Sequence, residues 1–382
     1  MAEVEHWIWL SLAFSPGSPK PCRLIRAFGS MDAVYAANEE ALIATGICTR
    51  KDLAALRSHQ LAPAMKIVEH CMDRKYDIIT FDEEQYPELL RKIYAPPVVL
   101  YVNGRLGKSP CISMVGTRHI TPYGTAVAEH LAEGLAKAGV TVVSGMAAGV
   151  DTHAHKGAIK GGGKTYAILG CGLDTIYPAS NRTLYQQISQ SGAVISEFPP
   201  RAKPERHYFP IRNRIIAGVS WGTVVVEAGQ KSGALITVGH ALEMGRDVFA
   251  VPGSILSSMS KGTNQLLRDG AKPACKVEDI LEEYSFLEST MPLPEKAPSP
   301  MPTNPPQTPV ETPPAVKNVK KVPQGLNQQQ TTIFNLLNTV PCHVDELALR
   351  ANLPPNQVLA ALTILEIQGL VRSAPGRRFY TV

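Results

Sequence analysis

No stretch of the 382 residues approaches the length needed to cross a bilayer. The apolar run near the start, in MAEVEHWIWLSLAFSPGSPK, is too short to span one. Acidic residues precede it where a secretory signal carries basic ones, so it reads as the core helix of a small domain. The seven cysteines (22, 48, 71, 111, 171, 275 and 342) are odd in number and scattered, with no C-x-x-C pair and no metal-ligand spacing. Reduced thiols in a cytoplasmic protein, with no metal, are the plain reading. Also missing are the G-x-x-x-x-G-K-[ST] phosphate loop and a nucleophilic serine elbow. Strong charge of either sign is absent too: the formal net charge is +5, which permits an anionic partner without demanding one.

What is present implies two or three domains. Residues 1–75 alternate short amphipathic segments with turns at Gly29 and Gly46, the pattern of a sterile-alpha-motif or helix-hairpin-helix bundle, or of a small docking bundle without nucleic-acid contact. Residues 76–110 bridge to the next region, with a strand-like start and a second strand over 98–102 beyond a proline-rich elbow. From 111 the rhythm is strand then helix: CISMVGT, VTVVSG, TYAILG, AVISEF, GTVVVEA and DVFAVPG alternate with helical stretches. Strands apolar throughout and separated by helices predict an α/β, doubly wound, mostly parallel sheet over 76–286. Residues 291–323 hold 11 of the chain's 31 prolines and no aromatic residue, so 287–323 reads as an extended linker. The tail, 324–382, predicts three helices and a terminal strand pair, a winged helix.

Ligands of such sheets bind outside the carboxyl ends of the strands, and four corners there draw attention. In SMVGTRHITPYG the glycine fingerprint of dinucleotide sites is missing, and Arg118 stands where the second glycine belongs. Gly116 and Thr117 would bring backbone close to a ligand, a helix starting near Pro122 would offer free N–H groups, and Arg118 adds a planar fork suited to phosphate. The alternative is an arginine paired with an acidic neighbour. The second corner, SGMAAGVDTHAHKGA, has small residues from Ser144 through Gly145 to Gly149, leaving room for backbone to touch a phosphate. Asp151, His153 and His155 spread around a helix axis, so a cap or loop-orienting role for Asp151 is favoured over metal binding.

The third stretch, PPRAKPERHYFPIRNRIIAG, is the most cation-rich. Arg201, Lys203, Arg206, Arg212 and Arg214 surround Tyr208 and Phe209, a mixture that suits a single nucleic-acid strand with phosphates held by charge and bases stacked on rings. A solvated loop, with Arg214 capping a carboxylate, is the bland alternative. At the fourth corner Lys231, Ser232 and Gly233 stand between strand and helix, an anion-receiving position. Glu227 is the one carboxylate there that could serve as a general base, and no partner acid accompanies it. Amides, cations and rings without proton-transfer equipment describe a binding surface for an extended polyanion.

The elements VGTR, SGMAAGVDTHAH, LGCGLDTIYPASN, SEFPP, HYFPIRNRIIAG, VVVEAGQKSGALIT, VFAVPG and GTNQLLRDGA, in this order, closely resemble those of the DNA-processing protein A family (DprA or Smf). They cover most of residues 80–275. The resemblance implies an extended Rossmann-like domain that binds single-stranded DNA, forms homodimers, receives incoming strands from the single-strand-binding protein, shields them from nucleases and loads the recombinase RecA in natural transformation. It implies no cofactor and no enzyme activity. It puts Arg118 in a central basic pocket and Phe209 against a base. Arg206 falls where relatives carry lysine, which preserves charge but alters reach. Arg212, Asn213 and Arg214 match the family's R-N-R signature, and Lys231, Ser232 and Gly233 its K-S-G turn. A Rossmann-like phosphoribohydrolase is the alternative, but EAGQKSGALIT lacks the glycine run and downstream glutamate of such enzymes. The expected recognition helix of the tail, PNQVLAALTILEIQG, contains no Lys or Arg and carries Glu366, so protein docking or autoregulation is favoured over duplex reading; on or near the wing, Arg372, Arg377 and Arg378 supply positive charge.

Overall fold

The computed structural model describes residues 3–58, 60–284, 328–337, 342–351, 353–368, 370–374 and 378–381. The chain forms two compact units, Met1–Pro298 and Ser299–Val382. The linker expected over 287–323 lies outside the described residues, as does Arg377 of the wing.

The first unit opens with six helices: α1 Val4–Ala13, α2 Lys20–Phe28, α3 Met31–Ala36, α4 Glu39–Ala44, α5 Arg50–Ser58 and α6 Leu61–Arg74. Gly29, at φ +84°, ends α2 in the left-handed conformation that glycine adopts without steric cost. Strands β1 (Asp77–Thr80) and β2 (Val99–Gly104) flank the short helix α7 (Glu88–Arg91). Then come β3 (Cys111–Val115), α8 (Pro122–Lys137), β4 (Thr141–Ser144), α9 (Val150–Lys160), β5 (Thr165–Ile168), α10 (Arg182–Ser191) and β6 (Ala193–Ser196). The unit continues through α11 (Tyr208–Gly218), β7 (Gly222–Val225), α12 (Ala234–Glu243), β8 (Asp247–Ala250), α13 (Lys261–Arg268), β9 (Lys272–Pro273) and α14 (Glu278–Leu281).

Nine strands make one sheet in the order β1-β2-β6-β5-β4-β3-β7-β8-β9. Strands β3 to β9 run parallel wherever they pair with one another, for example Val115 beside Val225 and Val143 beside Tyr166, while β2 joins β6 and β1 joins β2 in antiparallel fashion at one edge. Every residue of β3 to β7 is buried, because helices cover both faces. On one face α8 and α9 pack through Ala128, Leu131, Leu135, Ala154 and Ala158 against Ile112, Met114 and Val142. On the other, α11 and α12 place Ile215, Ile216 and Val238 against Val143, Ile168 and Val225. The initial helices do not stand apart. Trp7, Leu10 and Leu24 share a core with Val99 and Tyr101 of β2, Ala167 of β5 and Val194 of β6. Chain direction reverses its sheet order between β3 and β7, and the crevice at such a switch point is where α/β sheets present ligands.

The second unit contains α15 (Gln328–Leu336), β10 (Cys342–His343), α16 (Val344–Ala351), α17 (Pro355–Ile367), β11 (Val371–Ala374) and β12 (Arg378–Thr381), with sheet order β10-β12-β11. Ile333, Leu337, Leu347, Val358, Leu362 and Leu365 form its core. Among the described residues, no helix is long and apolar enough to cross a membrane.

Candidate nucleic-acid interface

The corner after β3 is bolted down by its neighbours. A Cβ on Gly116 would lie 2.4 Å from the Val150 side chain and 2.8 Å from the Glu227 carbonyl, so glycine serves close packing of the protein on itself. Thr117 donates its N–H to the Glu227 carbonyl at 2.8 Å, and its own carbonyl accepts from Val150 N–H at 3.1 Å. Thr121 caps α8 by accepting from Gly124 N–H at 3.1 Å. The Glu227 carboxylate takes the Thr121 N–H at 2.9 Å and its hydroxyl at 2.6 Å. Both oxygens of this buried group hold the loop, so the one candidate for a general base has a structural task. Between these anchors Arg118 is exposed and lies 5.5 Å above the Phe209 ring centroid.

The second corner is held from beneath. Asp151, at the start of α9, accepts from the N–H groups of Gly145 (3.1 Å) and Ala147 (3.3 Å), the loop-orienting role expected of it. Gly149 has φ +81°, and a Cβ there would fall 2.2 Å from the Thr117 carbonyl, which ties the second corner to the first. Ser144 is fully buried and donates to the Met114 carbonyl at 2.6 Å, and Gly145 is buried as well. His153 turns to Glu129 (2.7 Å) and the buried His155 to Thr165 (2.7 Å), so the D-x-H-x-H side chains diverge. Among the described residues no group of three or more such side chains converges on a metal position.

The R-N-R signature departs from the expectation that all three residues touch the ligand. Arg212 is only 3% exposed; it donates to the carbonyls of Gly145 (2.7 Å) and Ile168, beneath the ends of β4 and β5. A Cβ on Gly145 would come within 2.5 Å of this guanidinium. Burial lowers the Arg212 pKa to about 10 while Asp151 opposes the shift, so the group is charged at neutral pH. Burial in turn raises Asp151, and Arg212 and the two amides hold it back. Arg214 is buried against Glu197 in an ion pair, the carboxylate-capping alternative. Two residues apart on a helix, the two arginines leave the axis in different directions, so one surface cannot display both. Asn213 is half-buried, and its Oδ1 accepts from Arg212 Nε at 3.2 Å.

The exposed cations around the carboxyl rim include Arg201, which faces His70 Nδ1 at 3.1 Å, and four others: Arg118 after β3, Lys203 and Arg206 before α11, and Lys231 after β7. Among the described residues none of the four is ion-paired. Ser232 Oγ accepts from Ala234 N–H at 3.4 Å at the start of α12, and Gly233 faces open space. Phe209, half-buried on α11, rests over Gly170, where a Cβ would sit 3.0 Å from its ring. One rim residue escaped the sequence reading: Tyr177, 45% exposed on the loop after β5, with its ring centroid 5.5 Å from that of Phe209. Its signal was an aromatic residue in LGCGLDTIYPASN, just past a strand end.

A family model described as DNA recombination-mediator protein A matches residues 77–285, the whole of this sheet and its rim. The chain belongs to that family. A DprA winged helix domain model matches residues 318–377, which assigns the second unit. The Smf protein of Synechocystis is 37% identical over 341 residues, 84% of each chain. The DNA processing protein DprA of Streptococcus pneumoniae is 42% identical over 215 residues, covering 56% of this chain and 76% of its own. An X-ray structure of the Streptococcus pneumoniae protein is similar with a TM-score of 0.66 at 33% identity, across 74% of this chain and 99% of that one. A Helicobacter pylori DNA processing protein A, solved to describe its single-stranded DNA binding mode, gives a TM-score of 0.50 at 30% identity, across 56% and 97%. The chain thus combines an α/β Rossmann-like core with a helical N-terminal part and a C-terminal winged helix.

Proposed function

We propose that this chain binds single-stranded DNA along the carboxyl rim of its sheet and, as a homodimer, passes the strand from single-strand-binding protein to RecA during natural transformation. The observation that carries the reading is Arg118: an exposed guanidinium on a rigid corner, resting on the Phe209 ring and paired with no carboxylate among the described residues. A phosphate can take its fork while a ring remains beside it for an unpaired base. Lys203, Arg206 and Lys231 extend the charge along neighbouring strand ends. The related Helicobacter pylori protein, with its single-stranded DNA binding mode, supports the assignment. In this reading Ser144, Gly145, Arg212 and Arg214 act from below: they shape the rim that Gly116, Thr117 and Gly149 lock together. The engagement of Glu227 by Thr121 favours binding without bond-making.

Fluorescence anisotropy with a labelled oligonucleotide tests this. Arg118→Ala is expected to weaken binding about tenfold and to flatten the salt dependence by about one phosphate contact, with Arg206→Ala acting in the same direction. Both variants should melt at the parent's temperature. Parental affinity in both would remove the rim from consideration.

A further inference from the structure

We infer that Tyr177 is the outermost stacking surface for an unpaired base, and that the N-terminal helical segment holds it there through Asp174. This rests on the strand-binding reading above and adds a residue and a positioning chain to it.

Phe209 alone makes an incomplete platform. It is half-buried, Arg118 lies 5.5 Å and Arg212 6.0 Å from its ring centroid, and Gly170 lies against it. Tyr177 stands beside it with 45% of its surface open and its ring tilted by 48°. An aromatic side chain exposed next to unpaired cations has the makeup of a strand-binding platform: base faces are apolar, and stacking tolerates any sequence.

The loop that carries Tyr177 is fastened at Asp174. The backbone N–H of Asp174 donates to the Pro200 carbonyl and that of Gly172 to the Ala202 carbonyl, both at 2.9 Å. These bonds join the loop after β5 to the cation-rich loop after β6. The Asp174 carboxylate accepts from His70 Nε2 of α6 at 2.7 Å and from the Tyr76 hydroxyl at 3.1 Å. His70 Nδ1 faces an Arg201 nitrogen at 3.1 Å. Because arginine can only donate, Nδ1 accepts and Nε2 carries the hydrogen given to Asp174. A continuous set of contacts therefore runs from α6 through Asp174 to the loop presenting Tyr177. This gives the helical segment a part in strand binding without touching DNA itself.

The test compares affinity of the full chain for oligothymidylate with affinity for an abasic strand of equal length. Tyr177→Ala should lower oligothymidylate affinity about tenfold, leave abasic affinity unchanged and keep the salt slope, since no charge is removed. Tyr177→Phe should restore parental binding. Asp174→Asn, as a positioning change, should lower oligothymidylate affinity by a smaller factor and spare the abasic strand. Equal losses on both strands would overturn the inference, because a merely structural tyrosine does not distinguish bases. No loss from Tyr177→Ala while Arg118→Ala still weakens binding would overturn it too, leaving the wider reading intact. If neither variant weakens binding, the wider reading fails and takes this inference with it.

Discussion

His155 shows how far a single residue's surroundings can move its chemistry. Its ring is fully buried under the sheet, and burial, assisted by the charge of Arg212, pushes its pKa down to about 3 from an ordinary 6.5. Between those two values the unfolded chain binds a proton that the native chain refuses. Acid therefore favours unfolding through that window, at up to about 1.4 kcal/mol per pH unit from this group. Thermal unfolding of the parent should lose stability as pH falls from about 6.5 toward 3. His155→Gln should lose less over the same range, even if it starts lower for want of a matched partner at Thr165. Parallel curves for the two proteins would contradict the assignment. At this scale the sequence is least explicit. Arg118, Arg206, Arg212 and Arg214 are one residue type, yet the first two reach solvent and the last two are sealed under the rim. Nothing in the local spelling of HYFPIRNRIIAG records that Glu197, seventeen positions before Arg214, will turn inward to meet it. Removing one member of such a buried pair typically costs about 3–5 kcal/mol, so Arg214 belongs to stability first.

At the scale of elements the pattern is far easier to read. The six apolar runs from CISMVGT to DVFAVPG become β3 to β8, because burial on both faces requires each residue to be apolar or small and helices between them enforce parallel pairing. The glycines at the corners were visible, but their purpose was not. Gly149 adopts φ +81° and touches the Thr117 carbonyl, whereas Gly233 has an ordinary φ and open space around it. Gly149→Ala should therefore cost at least about 1–3 kcal/mol in urea unfolding and reduce strand binding with it. Gly233→Ala should stay within about 0.5 kcal/mol of the parent. Equal tolerance at both positions would mean that the two corners are not locked as described. The two-residue strand β9 was missed for a simple reason: Lys272 and Pro273 carry no apolar alternation, and their place is set by the neighbouring Phe249 and Ala250.

For the whole molecule, the sequence distinguishes a helical start, an alternating middle and a winged tail, and each is present. What it conceals is that the helical start shares a core with the sheet: Trp7, Leu10 and Leu24 complete a surface that includes Tyr101 and Val194. Such contacts join residues 77 to 187 positions apart, and periodicity within a window cannot see them. The rim, by contrast, is assembled from strand ends that the topology gathers, so its cations could be named beforehand even though their exposure could not. The central claim is that four exposed cations and an aromatic platform hold an unpaired strand. It is tested most directly by titrating salt against affinity for single- and double-stranded oligonucleotides of the same sequence. The predicted result is tighter binding of the single strand, with a slope of log affinity on log salt of about −3 per chain, from four phosphates at roughly 0.7 each. Equal or tighter duplex binding, or an affinity indifferent to salt, would contradict it.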